Sequence, residues 1–112
     1  MGLDALHAGL PVLTLRGAPW CARIGASFLT ALERPELIAE TPEDYVEKAH
    51  GLATDPARLA DHRAAIAERI ATDNPFDSRR VATRLDRAYE EIFLAYTAGR
   101  RPLDLDIDPG AY

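Results

Sequence analysis

Apolar positions change their spacing several times along this chain, and each change predicts an element. In residues 2–8, Leu3, Ala5 and Leu6 alternate with Asp4 and His7 in a two-turn helical pattern, and Gly9 stands where such a helix closes. Pro11 forbids continuation. Val12, Leu13, Thr14 and Leu15 are β-prone and nearly all apolar, which suits a short strand covered on both faces, as in a parallel sheet; Arg16-Gly17 stops it. Pro19 suits the first turn of the next helix, and Cys21, Ile24, Phe28, Ala31 and Leu32 recur at spacings of three and four, so they are expected to face inward. Pro35 ends that helix, and Glu36-Leu37-Ile38-Ala39 suits either a final short strand or an extended connection.

Thr41-Pro42-Glu43-Asp44 is a helix start: a capping hydroxyl, proline at the first helical position, and two carboxylates where the helix dipole favours negative charge. Tyr45, Ala49 and Leu52 are then expected inside. Asp55-Pro56 repeats the signal, followed by the thinner stripe Leu59, Ile66 and Ile70, until Asn74-Pro75 breaks the pattern. Asp77 or Ser78 can cap a last helix, in which Val81, Leu85, Ala88, Tyr89, Ile92, Phe93 and Tyr96 follow the helical period before Gly99 stops it. Residues 1–99 therefore form one segment. Residues 100–112 mix Pro, Gly and alternating Asp without a period, as in a flexible tail or a strap that needs a partner. A parallel strand must have neighbours to satisfy its N–H and C=O groups, and here they are too few. The pattern thus reads as the final third of an open α/β domain, helix-rich with one or two short parallel strands.

Composition narrows the classes. The 112 residues are 47% apolar, enough for one compact domain that buries roughly 65% of its unfolded surface. The formal charge of −5, with no basic cluster interleaved with aromatics, argues against nucleic acid and anionic membranes as partners. One cysteine, no signal-peptide pattern and no apolar run approaching ~20 residues point to a reducing cytoplasm.

A self-sufficient enzyme would need a convergent base, nucleophile or metal set. His7, His50 and His62 fall on different predicted helices, with no ligand spacing between them, and read as surface or half-buried side chains. Cys21 reads as a small core residue, because no base is fixed beside it in sequence. Arg79, Arg80 and Arg84 form a basic patch where the dipole disfavours it, either a solvated face or an answer to acidic residues elsewhere. The aromatic stripe of the last helix reads as core, or as a face for a partner.

Three blocks, "GLDALHAGLPVLTLRG", "ARIGASFLTALERPELIAETPEDYVEKAHGLATDPARL" and "NPFDSRRVATRLDRAYEEIFLAYTAGRRP", together resemble the C-terminal end of the O-GlcNAc transferase family, glycosyltransferase family 41, which includes the SPINDLY-like proteins. The resemblance covers residues 2–102 and lies in the order and spacing of the blocks. It implies the C-terminal part of a GT-B, Rossmann-like nucleotide-sugar domain, in a family often carrying tetratricopeptide repeats upstream. Those enzymes move N-acetylglucosamine from UDP-GlcNAc to Ser or Thr hydroxyls of proteins, with no metal cofactor.

Gly2-Leu3-Asp4 matches the family's Gly-Met-Asp, which opens a helix under the nucleotide. The resemblance implies that Gly2, Leu3 and Asp4 lie on the UDP side, with Asp4 accepting from the ribose diol. Read without it, Asp4 simply favours a helix start through the dipole. Arg23 keeps the cation of the family's Ser-Arg pair while Ala22 loses the hydroxyl; it can serve the diphosphate or an interdomain contact, or lie on the surface. Arg16-Gly17-Ala18-Pro19 replaces the usual Pro-Gly-Glu-Thr. Met1 stands where the family has the second threonine of His-Thr-Thr. The catalytic histidine and the lysine that neutralises the diphosphate belong to the family's other domain, so these residues are not expected to transfer sugar alone. No catalytic residue is assigned. The alternative is a non-catalytic helical interaction module or gene remnant that docks on a separately encoded half.

Overall fold

The computed structural model describes residues 2–101 and 104. The chain forms two compact units, Met1–Pro75 and Phe76–Tyr112. The first holds helix α1 (Gly2–His7), strand β1 (Thr14–Leu15), helix α2 (Ile24–Ala31), strand β2 (Ile38–Ala39), helix α3 (Pro42–Thr54) and helix α4 (Pro56–Thr72), with single 3-10 turns at Trp20–Arg23 and Pro35–Leu37. The second contains helix α5 (Ser78–Thr97). The expected tail, residues 100–112, falls largely outside the described residues.

The neighbour that β1 requires is the short stretch whose sequence fits either strand or connection. β2 pairs with it in parallel, Thr14 opposite Ile38 and Leu15 opposite Ala39, and the Arg16 N–H extends the ladder to the Ala39 carbonyl at 2.8 Å. This is the helix-rich α/β class with short parallel strands. β1 is shorter than the apolar run suggests: Val12 and Leu13 are half-buried but unpaired in the ladder, because in this parallel register they fall opposite Glu36 and Leu37, which belong to the Pro35–Leu37 3-10 turn and not to a strand. Leu15 is exposed, a correction to the strand covered on both faces. Successive strand residues face opposite sides, and α2 covers the Thr14 side. There an added Cβ at Gly25 would lie 2.6 Å from Thr14 Oγ1 and 3.1 Å from Thr14 Cβ.

Leu6 of α1, Ala26 and Leu29 of α2, Leu32 just beyond it, Leu37, Ile38 and Ala39 around β2, and Ile66 of α4 form the core. Each large aliphatic side chain fully buried there contributes about 1.5–3 kcal/mol. The inward phase of α2 differs from the sequence pattern. The 3-10 turn at Trp20–Arg23 advances three residues per turn, so Cys21 points outward and is exposed, not a core residue. Ala26, Leu29 and Leu32 take the buried positions, while Phe28 and Ala31 are not fully enclosed. Tyr45 is likewise exposed on α3.

Local chemistry sets the helix ends. Thr41 Oγ1 accepts from the Asp44 N–H at 3.1 Å and Asp55 Oδ1 from the Arg58 N–H at 3.0 Å, each with proline next in the chain at the first helical position. Gly9 (φ 73°) closes α1, with the Gly9 N–H on Leu6 O and the Leu10 N–H on Ala5 O. Glu33 (φ 58°) does the same at the end of α2, a left-handed position normally left to glycine.

Two polar clusters tie helices to β2 and to the 3-10 turn before it. Lys48 Nζ donates to the Ile38 carbonyl at 2.6 Å and to Asp44 Oδ2 at 2.9 Å, while the Glu40 N–H donates to the same carboxylate oxygen at 3.1 Å. The Lys48 hydrogen bond, and after it that from Glu40, holds the Asp44 carboxyl below its ordinary value of 3.8. A depressed carboxyl contributes stability that is present above 3.8 and is lost as pH falls through the lower folded-state value. Thermal melts should therefore show wild type losing its advantage over Asp44→Asn progressively below that pH, and keeping it unchanged up to neutrality. In the second cluster, Glu36 Oε1 accepts from Arg34 Nη1 at 3.2 Å and lies 3.5 Å from His62 Nδ1. His62 is buried in the stripe between Leu59 and Ile66, where the sequence suggests a surface or half-buried side chain. Glu36 offers the polar contact that lets an imidazole stay there.

In the second unit, Asp77 Oδ1 accepts from the Arg79 N–H at 2.7 Å and the Arg80 N–H at 3.3 Å, capping α5. Gly99 (φ 67°) closes it. Val81, Leu85, Tyr89, Ile92, Phe93 and Tyr96 are exposed, so the stripe is a surface rather than core.

Candidate functional site

In open α/β sheets, ligands bind beyond the carboxyl ends of the strands. Both strands here leave that edge into polar segments. β1 runs into Arg16-Gly17-Ala18-Pro19 and the Trp20–Arg23 turn that begins α2, and β2 runs into Glu40-Thr41 and α3. Arg16 Nη1 and Glu40 Oε1 lie 3.3 Å apart, joining the two exits. Both side chains are about half exposed, so the pair contributes little stability; it places opposite charges along the edge. The loop after β1 is compact: the Gly17 N–H donates to Ala22 O at 3.3 Å, the Ala22 N–H to Pro19 O at 3.1 Å, and a Cβ on Gly17 would meet Ala22 Cβ at 2.8 Å.

Arg23 ends this loop with an exposed side chain, and its guanidinium has no ion-pair partner among the described residues. Its carbonyl accepts from Ser27 Oγ at 3.1 Å, which steadies the first turn of α2. Gly2 and Asp4 are exposed in the first turn of α1, and Leu3 is half-buried. Leu6, one turn on, anchors α1 in the core.

The histidines do not converge. His7 is exposed, with Nδ1 donating to the Leu3 carbonyl at 3.1 Å; His50 is exposed on α3; His62 is buried against Glu36. Among the described residues no group of three or more His, Cys, Asp or Glu comes together as a metal site, and no helix is long and apolar enough to cross a membrane. An open groove of about 550 Å³ runs along α3, lined by Pro42, Glu43, Val46, Glu47 and His50. Its two carboxylates make it a poor receptor for an anion.

Comparison with known proteins decides the family. The model of glycosyl transferase family 41 matches residues 1–85. The chain belongs to this family. A UDP-N-acetylglucosamine–peptide N-acetylglucosaminyltransferase of Caenorhabditis elegans is 31% identical over 103 residues, covering 92% of this chain and 9% of the relative. The probable SPINDLY transferase of Hordeum vulgare is 28% identical over 99 residues, 88% of this chain and 10% of the relative. That of Arabidopsis thaliana is 26% identical over the same length, 88% of this chain and 11% of the relative. The family 41 chain thus spans about a tenth of the length of these relatives.

Proposed function

We propose that the first unit is the donor-side portion of a UDP-GlcNAc-dependent protein O-linked N-acetylglucosaminyltransferase, working with the rest of a two-domain active site. The observation that carries this reading is the parallel β1–β2 register in a family 41 chain. It defines a carboxyl edge from which the Trp20–Arg23 turn leads into α2. The family resemblance implies that the start of α1 belongs to the same edge. Asp4 then accepts from the ribose hydroxyls, the N–H groups of Gly2 and Leu3 face the nucleotide, and Arg23 answers the diphosphate. The reaction is displacement at the anomeric carbon by a protein hydroxyl. This segment forms no covalent bond; it orients UDP as donor and then holds it as leaving group. Protein groups, rather than a metal, neutralise the diphosphate in this reading, as the family resemblance implies.

Asp4→Asn in the transferase carrying the rest of the site is expected to weaken UDP binding and slow transfer about tenfold, the scale of a hydrogen bond to a charged group. Equal UDP affinity and equal transfer in the variant would remove Asp4 from the donor site. A second reading, a non-catalytic interaction module, is favoured by the exposed stripe of α5. A monomer with a two-state melt in light scattering and calorimetry would count against it.

A further inference from the structure

We propose that α5 is a dimerisation helix whose exposed stripe docks on the same stripe of a second copy of this chain, the two helices lying antiparallel; this is independent of the donor-side reading above. None of the 20 residues of α5 is buried, and a helix of that length left alone in water is only marginally stable. Val81, Leu85, Ala88 and Ile92 follow one another at spacings of four, three and four, the repeat with which two helices seat side chains against each other. Tyr89 and Tyr96 join them, and the six fall within roughly 100° of arc on one side of the helix. Phe93 stands at the edge of this seam and Leu94 on the opposite side. The five large side chains of the seam are between 44% and 79% exposed. Covering them on two copies removes roughly 1,200 Å² from water, the lower bound for a stable, specific interface.

The charges select the partner and its direction. The N-terminal half of α5 carries Arg79, Arg80, Arg84 and Arg87 against one acid, Asp86, while the C-terminal half carries Glu90 and Glu91 and no base. That order opposes the helix dipole, which favours acids at the start and bases at the end. An antiparallel copy answers it, because the basic half of each helix then runs along the acidic half of the other. Arg84 and Glu91 are seven residues apart, so they border the seam on the same side. In an antiparallel pair equivalent flanks face one another, and Arg84 meets the partner's Glu91 twice over, with the two-fold axis between Arg87 and Ala88. In a parallel pair that flank faces the opposite one, and Glu91 comes beside the partner's Glu90. Like charges there disfavour the parallel arrangement.

Light scattering of the 112-residue chain from micromolar to millimolar concentration tests this. The mass should rise from 12.3 kDa to twice that value. Ile92→Glu, which puts a carboxylate in the seam, should hold the chain at the lower mass, and Leu94→Glu on the opposite side should leave the transition where it is. Arg84→Glu should weaken dimerisation about tenfold, because two like-charge pairs replace two ion pairs. Arg84→Glu combined with Glu91→Arg in one chain should restore it, since both pairs form again with reversed signs. Circular dichroism checks that α5 stays helical; if Ile92→Glu melts it, the charge variants, which leave the seam intact, carry the test. A chain that stays at 12.3 kDa throughout would overturn the inference and leave the stripe to the surface of a different protein. A dimer that survives Ile92→Glu with α5 folded would do the same, by placing the contact on another face. A double charge variant no tighter than Arg84→Glu would rule out the antiparallel pairing.

Discussion

Ile66→Ala is expected to lower the stability of the first unit by about 3 kcal/mol, the middle of the range for deleting a fully buried aliphatic side chain. Ile66 is 0% exposed and shares the core with Leu6, Leu29 and Leu32, also within 1% of full burial. The loss combines the transfer free energy of the removed atoms with the cost of the cavity left behind. In a domain this small the melting temperature should fall by roughly 15 °C. The contrast is Phe93→Ala in α5: although the larger side chain is removed, it is 64% exposed, and the expected change is below about 0.5 kcal/mol. Urea melts of the two variants measure both. Comparable losses would contradict the assignment of the core to residues around β1 and β2 and of the α5 stripe to the surface.

Gly25→Ala should be destabilising by about 2 kcal/mol, although the same change on an open helix face is stabilising by about 1 kcal/mol. The sign reverses because α2 lies against β1 closely enough for the new Cβ to meet Thr14 Oγ1 at 2.6 Å. Adding Thr14→Ala removes that oxygen but leaves the Cβ of residue 14, which stands 3.1 Å away, so the double variant should recover about 1 kcal/mol of the loss. A double-mutant cycle by thermal or urea denaturation reads the coupling. Additive effects would mean that the Gly25–Thr14 approach does not set how α2 sits on the strand.

Features governed by adjacent residues are readable in the sequence. Thr41, Asp55 and Asp77 cap helices, and Gly9 and Gly99 close them, because each of these signals is satisfied within one turn of chain. Features set by distant partners are harder to read. The identity of Ile38-Ala39 as a strand depends on pairing with Thr14-Leu15, which no local period announces. Cys21 turns outward because Gly17 and Ala22 tighten the preceding loop into a 3-10 turn and break the helical phase. His62 is buried because Glu36, far away in sequence, meets its Nδ1. In the candidate site, Gly2, Leu3, Asp4 and Arg23 are reached through family resemblance, since an acid in a first turn or a lone arginine carries no ligand signal of its own.

If the first unit is a nucleotide half-site, amide proton–nitrogen NMR of the chain shows dispersed peaks, and UDP shifts those of residues 2–6 and 17–23 while leaving α4 unmoved. Dispersed peaks indifferent to UDP at millimolar concentration, or shifts confined to α3 and α5, would contradict it.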